Sequence, residues 1–145
     1  MRRRSFITLL GGAAAAWPVV ARGQQGERVR RIGVLIPLPE NDKEGTARLV
    51  ALREGLQKLG WVEGRNILID YRWAPQGGQL QPAAKELVAL APELILVQSD
   101  PATAALRRET WTIPIVFVSV GDPISGGFIQ SMARPAGNAT GFTNF

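Results

Sequence analysis

Residues 93–123, ELILVQSDPATAALRRETWTIPIVFVSVGDP, decide the fold of this chain. They contain two short apolar runs, Leu94–Val97 and Ile113–Val118, separated by an Ala-rich segment. Sequence runs that are apolar at every position are typical of strands buried on both faces of a parallel sheet. The intervening segment, Pro101–Arg108, is long enough for two turns of a crossover helix. The stretch therefore predicts a strand–helix–strand unit inside a larger parallel sheet.

A small polar turn follows each of these two strands. The first turn covers residues 98–101 (QSDP) and the second covers residues 121–123 (GDP). In open α/β sheets, ligands bind at the carboxyl ends of the strands, near the point where the strand order reverses. The two turns are therefore the candidate ligand site.

The remainder of the chain continues the alternation of strands and helices. Asn41 and Glu44 have the spacing of a capping box, and Gly60 is placed to end the helix that they begin. The other predicted elements are strands at Ile32–Ile36, Ile67–Trp73 and Ala139–Phe142, and helices at Gln79–Leu90 and Ile124–Met132. The alternating pattern of Ile67–Trp73 is typical of an edge strand. Together they predict an α/β fold: a parallel five-stranded sheet in the order 2-1-3-4-5, with helices on both faces.

The first 23 residues have the composition of an export signal. They combine a basic start, an apolar run from Phe6 to Val20 and small residues around a cleavage point between Gly23 and Gln24. Arg3, Arg4 and Phe6 match the twin-arginine export motif, and an ordinary secretory signal is the alternative. The sequence thus predicts a signal at 1–23, a mature domain at 24–145, and a location in the periplasm.

Charge and composition exclude several classes of function. The chain carries 17 basic and 12 acidic residues, but four of the basic ones lie within the export signal. The remaining 13 basic residues are nearly balanced by the 12 acidic ones and form no basic stripe, so we expect no nucleic-acid partner. Cysteine and histidine are both absent, which excludes thiol and imidazole catalysis and ordinary zinc sites. No metal or cofactor is predicted.

Two other folds with the same alternation fit poorly. A phospho-accepting receiver domain would place an acidic pair after the first strand, where this chain has Ile36-Pro37-Leu38. A dinucleotide-binding domain would need a glycine-rich turn at the same place.

Each candidate site residue also has an ordinary structural role. Ser99 or Asp100 can cap the helix that follows, and the same geometry would leave backbone N–H groups free for an anion. Asp122 can cap the fourth predicted helix, Ile124–Met132, or accept a hydrogen bond from a ligand ammonium. Trp73 can pack in the fold or stack on a ligand.

Several longer motifs resemble a family of bacterial ABC-transporter substrate-binding proteins, which is similar to the type I periplasmic binding proteins. The motifs are GWVEGRN at 60–66, DYRWA at 70–74, TIPIVFV at 112–118 and RPAGNATGF at 134–142. The resemblance implies two α/β lobes that close over a small, amino-acid-like solute and present it to an ABC permease in the inner membrane. It implies first-lobe ligand contacts at Ser99, Asp100, Thr103, Ser119, Gly121 and Asp122. Pro37-Leu38-Pro39 departs from the small polar residues that the family usually has after the first strand.

The resemblance covers only the first of the two lobes. We therefore expect a truncated solute-binding component, with the second lobe absent, rather than an enzyme. Two alternatives are a periplasmic α/β enzyme that uses Asp100 or Asp122 as a base, and a truncated product without function. The enzyme would need partner groups near those carboxylates, and the sequence places no His, Cys or Lys there.

Overall fold

The computed structural model describes residues 28–75 and 77–144, so the export-signal prediction lies outside the described residues. The described residues form five strands and three helices: β1 (Arg30–Ile36), α1 (Lys43–Lys58), β2 (Ile67–Trp73), α2 (Leu80–Ala89), β3 (Leu94–Gln98), α3 (Asp100–Glu109), β4 (Ile115–Val120) and β5 (Ala139–Thr143). Within this part of the chain, no helix combines the length and the apolar character that a membrane span requires.

All five strands are parallel, and the sheet has the order β2-β1-β3-β4-β5. This confirms the predicted fold class and strand order. Because β2 lies on one side of β1 and β3 lies on the other, the chain reverses its direction of winding between β1 and β3. The carboxyl ends of β1 and β3 therefore flank the switch point where ligands bind in open α/β sheets.

Helices pack on both faces of the sheet. On one face, α2 and α3 cover β1, β3 and β4, and this layer contains the most deeply buried side chains: Leu35, Leu87, Ile95, Leu106, Ile115 and Phe117. On the other face, α1 packs over β1 and β2, and the layer contains Ile32, Val34, Ile36, Leu49, Ile67 and Ile69. The period-2 alternation of strand side chains assigns neighbouring residues to opposite layers.

The prediction that β3 and β4 are buried on both faces is wrong for one face. Ile95 and Phe117, which point toward α2 and α3, are both 0% exposed. Leu96 and Val116 point to the opposite face and are only partly buried. The physical reason is that the layer under α1 is centred on β1 and β2, reaches β3 only through the partly buried Leu94 and Leu96, and includes no residue of β4.

Helix α1 begins one residue later than the capping-box pattern indicated. Asp42, not Asn41, is the N-cap, and its Oδ1 accepts a hydrogen bond from the Gly45 N–H at 2.8 Å. The predicted end at Gly60 is confirmed. Gly60 has a φ of 90°, its N–H donates to the Gln57 carbonyl at 3.0 Å and the Trp61 N–H donates to the Leu56 carbonyl at 2.9 Å. This pair of bonds is a Schellman motif, which needs a residue that tolerates positive φ.

The structure corrects the predicted start of one strand and the prediction of one helix. Strand β4 begins at Ile115 rather than Ile113. Pro114 has no N–H to donate to a neighbouring strand, and the Ile113 N–H donates instead to the Thr110 hydroxyl oxygen at 3.1 Å. The helix predicted at Ile124–Met132 is absent, and turns occupy residues 123–127. Gly127 has a φ of 72°, which is incompatible with a right-handed helix.

Candidate functional site

The two predicted turns meet at the carboxyl edge of the sheet, because β3 and β4 are adjacent parallel strands. The Ser99 N–H donates to the Val118 carbonyl at 3.2 Å, which continues the ladder to the end of β3. The Asp100 Oδ2 accepts a hydrogen bond from the Gly121 N–H, also at 3.2 Å. The structure thus brings together Ser99, Asp100 and Gly121.

Ser99 has the least ordinary geometry at this edge. Its φ is 79° and its ψ is 155°, a conformation that is costly for any residue with a Cβ. Its hydroxyl oxygen is buried and has no hydrogen-bond partner among the residues that the structure describes. Leaving a buried hydroxyl unpaired costs about 1–3 kcal/mol. Strain and an unpaired buried donor at one residue are typical of a ligand-binding position.

The structural alternative for Ser99, helix capping by its side chain, is not observed. Ser99 occupies the N-cap position of α3, but its side chain makes no capping hydrogen bond. Its carbonyl accepts hydrogen bonds from the Thr103 N–H at 3.1 Å and from the Thr103 hydroxyl at 2.7 Å. Thr103 is fully buried, so its observed role is to fix the backbone of Ser99. Direct contact between Thr103 and a ligand stays a prediction.

Ser119 lies near the end of β4, and Asp122 follows Gly121 in the second turn. Ser119 is exposed and has a φ of 55°, again in the left-handed region. The Asp122 carboxylate accepts hydrogen bonds from the N–H groups of Ile124 at 3.2 Å and Ser125 at 2.9 Å. Hydrogen bonds from the Ser125 side chain and then its backbone lower the pKa of Asp122 below its ordinary value of 3.8. Asp122 therefore caps the turn and is ionised at neutral pH.

Trp73 lies away from these turns. It ends β2, which β1 separates from β3, and its ring packs on α1. A Cβ built on Gly45 would lie 2.6 Å from the ring, so the absence of a side chain at Gly45 makes room for it. The structure shows Trp73 in its packing role, and stacking on a ligand stays a prediction.

A recess of about 320 Å³ opens between the end of β3 and α1. Its lining includes Gln98, Ser119 and Arg48, together with apolar residues of β1, β3 and α1. Gln98 and Arg48 are not among the ligand contacts predicted from the sequence. Gln98 ends β3 and begins the predicted first turn, whereas nothing in the sequence indicates how α1 orients Arg48 toward the sheet.

The arrangement can bind charged groups but shows no catalytic pairing. Among residues 28–75 and 77–144, no group of three or more acidic side chains could hold a metal ion. Within the same ranges, Asp100 has the Gly121 N–H as its hydrogen-bond partner, and Asp122 has the N–H groups of its own turn. These contacts suit recognition of a polar solute by hydroxyls, carboxylates and backbone groups.

Comparison with protein families decides the relationship. The profile of the family described as ABC transporter substrate binding protein matches residues 32–145. The chain belongs to that family. A curated relative, the tyrosine-binding protein of Clostridioides difficile (strain R20291), is 30% identical over 122 residues, which is 82% of this chain but 34% of the relative.

Solved structures support the same fold. A conserved domain protein from Vibrio cholerae and the ligand-free, open form of a Clostridium difficile substrate binding protein with adhesive properties are each 27% identical with a TM-score of 0.73. Each alignment covers 81% of this chain and 39–40% of the solved structure. An ABC domain from Streptococcus pneumonia in complex with L-Trp has a TM-score of 0.69 at 24% identity, and the alignment covers 79% of this chain and 38% of that structure. The chain therefore spans well under half the length of these relatives.

Proposed function

We propose that this chain is the first lobe of a periplasmic solute-binding component of an ABC importer. The lobe would bind a small, amino-acid-like solute in a cleft that a second lobe closes. In this proposal, residues 1–23 direct export by the twin-arginine or general route, cleavage follows Gly23, and the mature lobe covers residues 24–145. Membership in the substrate-binding family supports the proposal, as do relatives named for tyrosine or solved with L-Trp.

Ser99 is the observation that carries the site assignment. A buried hydroxyl without a partner, on a strained residue at the family's switch point, has a physical reason to exist if a ligand supplies the missing hydrogen bond. Thr103 holds this conformation from below through its two hydrogen bonds to the Ser99 carbonyl. The strain is thus maintained by buried structure rather than by a mobile loop.

The charges around Ser99 fit a zwitterion. The first turn of α3 offers backbone N–H groups and the positive end of the helix dipole to a carboxylate. Asp100 and Asp122 offer carboxylates to an ammonium, and the hydroxyls of Ser99 and Ser119 can bond to either group. We assign the ligand contacts to Ser99, Asp100, Thr103, Ser119, Gly121 and Asp122.

Titration of the 145-residue chain with L-tryptophan and L-tyrosine, followed through its backbone amide resonances, tests this function. We expect weak, saturable shifts at residues 99–100 and 119–122, with the amino acid itself unchanged. Ser99→Ala should reduce the shifts at least fivefold. Thr112→Ala, which removes an exposed hydroxyl at the opposite edge of the sheet, should leave them unchanged.

Two outcomes would count against the proposal. Shifts that map only to the opposite edge of the sheet would remove the assigned site. Consumption of the amino acid would favour the enzyme alternative, with Asp100 or Asp122 as the base.

A further inference from the structure

The recess at the carboxyl edge has polar lining residues that the assigned ligand contacts do not include. Gln98 ends β3, Ser119 lies near the end of β4, and Arg48 lies in the second turn of α1. The volume of about 320 Å³ is at the lower end of the range for small-ligand pockets. Because Ser119 is both an assigned ligand contact and part of this lining, a solute bound at the turns would reach the recess.

The two turns after β3 and β4 carry acidic residues and no basic residue. Asp100 and Asp122 supply two carboxylates, whereas the first turn of α3 supplies the equivalent of about half a positive charge. Asp100 is itself the first residue of α3, so its carboxylate would repel a second carboxylate placed at the same N–H groups. A zwitterionic solute therefore finds partners for its ammonium at the turns and needs an additional cation for its carboxylate.

Arg48 is placed to supply that cation. Among the described residues that line the recess, it is the single basic one. Gln98 shares a sheet face with Leu94 and Leu96, and this is the face on which α1 packs. The guanidinium of an arginine presents its N–H groups as a planar fork that binds a carboxylate through two parallel hydrogen bonds.

The present partner of Arg48 is one that a solute can replace. Arg48 bonds to Glu44, four residues earlier on α1, and the two side chains are 42% and 67% exposed. Exposed ion pairs of this kind contribute little to stability, so breaking this one costs little. In the free protein, Glu44 thus occupies the guanidinium and competes with an incoming carboxylate.

We infer that Arg48 recognises the carboxylate of the solute, while Asp100 and Asp122 recognise its ammonium. The inference rests on the proposed function, because it assigns a partner to one group of the solute that the turns bind. It makes the site selective for amino acids over amines that lack the carboxylate.

Titration of the 145-residue chain with L-tryptophan and with tryptamine, which lacks the carboxylate, tests this assignment. With backbone amide resonances as the readout, Arg48→Met should raise the dissociation constant for L-tryptophan at least fivefold. The constant for tryptamine should stay within twofold. Arg53→Met is the matched control on the same helix, since Arg53 bonds to Glu63 and Tyr71 and does not line the recess. It should leave both constants unchanged.

Glu44→Gln should change binding in the opposite direction. Because it removes the carboxylate that competes for Arg48, we expect L-tryptophan to bind about twofold more tightly and tryptamine to bind as before. If the Arg48–Glu44 pair only stabilised α1, the two substitutions would affect both compounds alike.

Equal dissociation constants for L-tryptophan in Arg48→Met and the unmodified chain would overturn the inference and leave the proposed function intact. Absence of saturable L-tryptophan binding by the unmodified chain would contradict both. If Arg48→Met does not melt cooperatively, the side-chain Nε–H resonance of Arg48 in the unmodified chain is the deciding measurement. This resonance should shift with L-tryptophan and not with tryptamine, and the same response to both compounds would contradict the inference.

Discussion

At the scale of single residues, the site rests on conformations that side chains rarely adopt. Ser99 and Ser119 both have positive φ values, 79° and 55°, at the ends of neighbouring strands. Positive φ costs a residue with a Cβ of order 1–3 kcal/mol, whereas glycine adopts it freely. The turns would therefore be more stable with glycine. Under the proposed function, serine is kept at these positions because its hydroxyl contacts the ligand.

Ser99→Gly should stabilise the protein for this reason. We expect the free energy of unfolding in urea to rise by about 1 kcal/mol, because the variant removes both the strained Cβ and the unpaired hydroxyl. Ser99→Ala is the matched control, since it removes the hydroxyl but keeps the Cβ at the same φ. Ser99→Gly should exceed Ser99→Ala in stability, and the reverse order would show that the backbone at this position is not strained.

The Asp122 carboxylate gives a prediction about pH. Its pKa is lowered chiefly by the hydrogen bond from the Ser125 side chain, so Ser125→Ala should raise the pKa of Asp122 toward 3.8. A carboxyl whose folded-state pKa lies below its unfolded value contributes full stability above the unfolded value. That contribution to stability is lost as the pH falls through the pKa of the carboxyl in the folded state.

Ser125→Ala should therefore lower the free energy of unfolding at neutral pH. In strong acid, the free energies of unfolding of the variant and the unmodified chain should be equal. Carboxyl titration by NMR measures the pKa of Asp122, and urea unfolding at neutral pH and in strong acid measures the stability. An unchanged Asp122 pKa in Ser125→Ala would rule out the side-chain hydrogen bond as its cause.

At the scale of helices and strands, two glycines give opposite predictions. Gly141 lies in β5, where an added Cβ would be 1.9 Å from the Phe117 carbonyl oxygen in β4. Backbone cannot move aside cheaply, so Gly141→Ala should lose about 3 kcal/mol and loosen the pairing of β4 with β5. Gly55 lies within α1 and has no atom within 4 Å of an added Cβ.

Gly55→Ala is thus the matched control and should gain about 1 kcal/mol, the difference in helix propensity between the two residues. Urea unfolding of both variants measures the two changes. A mild effect of Gly141→Ala would mean that β5 is only loosely held to the sheet.

Local chemistry explains two errors of prediction, one in the start of a helix and one in the existence of a helix. The capping-box spacing selected Asn41, yet Asp42 makes the cap. Both Asn and Asp side chains can cap a helix, and only the backbone conformation decides which of the two adjacent residues does so. The run Ile124–Met132 contains enough apolar residues for a helix. Phe128 and Ile129 are instead buried next to a turn. The Asp122 carboxylate caps this turn, and Gly127 adopts the positive φ that the turn requires.

At the scale of the whole molecule, the prediction of the sheet order is confirmed. The structure brings together the two turns that follow β3 and β4, and ligand binding at these turns stays a prediction. Apolar runs and the turns after them follow from the chain itself, and the strand order follows from the alternating, edge-like pattern of β2 beside the apolar runs of β1, β3 and β4. The open face over β3 and β4 could not be predicted, because an all-apolar strand indicates two covers without saying whether this stretch of chain supplies both. The strain and unpaired hydroxyl of Ser99 could not be predicted either, since they arise from Thr103 and β4 packing around it.

The incomplete cover and the single wall of the site lead to one prediction about affinity. A working pocket buries about 70–90% of the surface of a small ligand, and one lobe presents only one wall of such a pocket. We expect the 145-residue chain alone to bind L-tyrosine or L-tryptophan with a dissociation constant above about 1 mM. A fusion that supplies the second lobe should bind at least a hundredfold more tightly, a gain of about 2.8 kcal/mol.

Calorimetry on both proteins measures the difference, and Ser99→Ala should weaken binding in each. Micromolar binding by the isolated chain would contradict the prediction and show that one lobe forms a complete pocket. Equal millimolar binding by a folded fusion would instead show that the second wall contributes no contact to these amino acids.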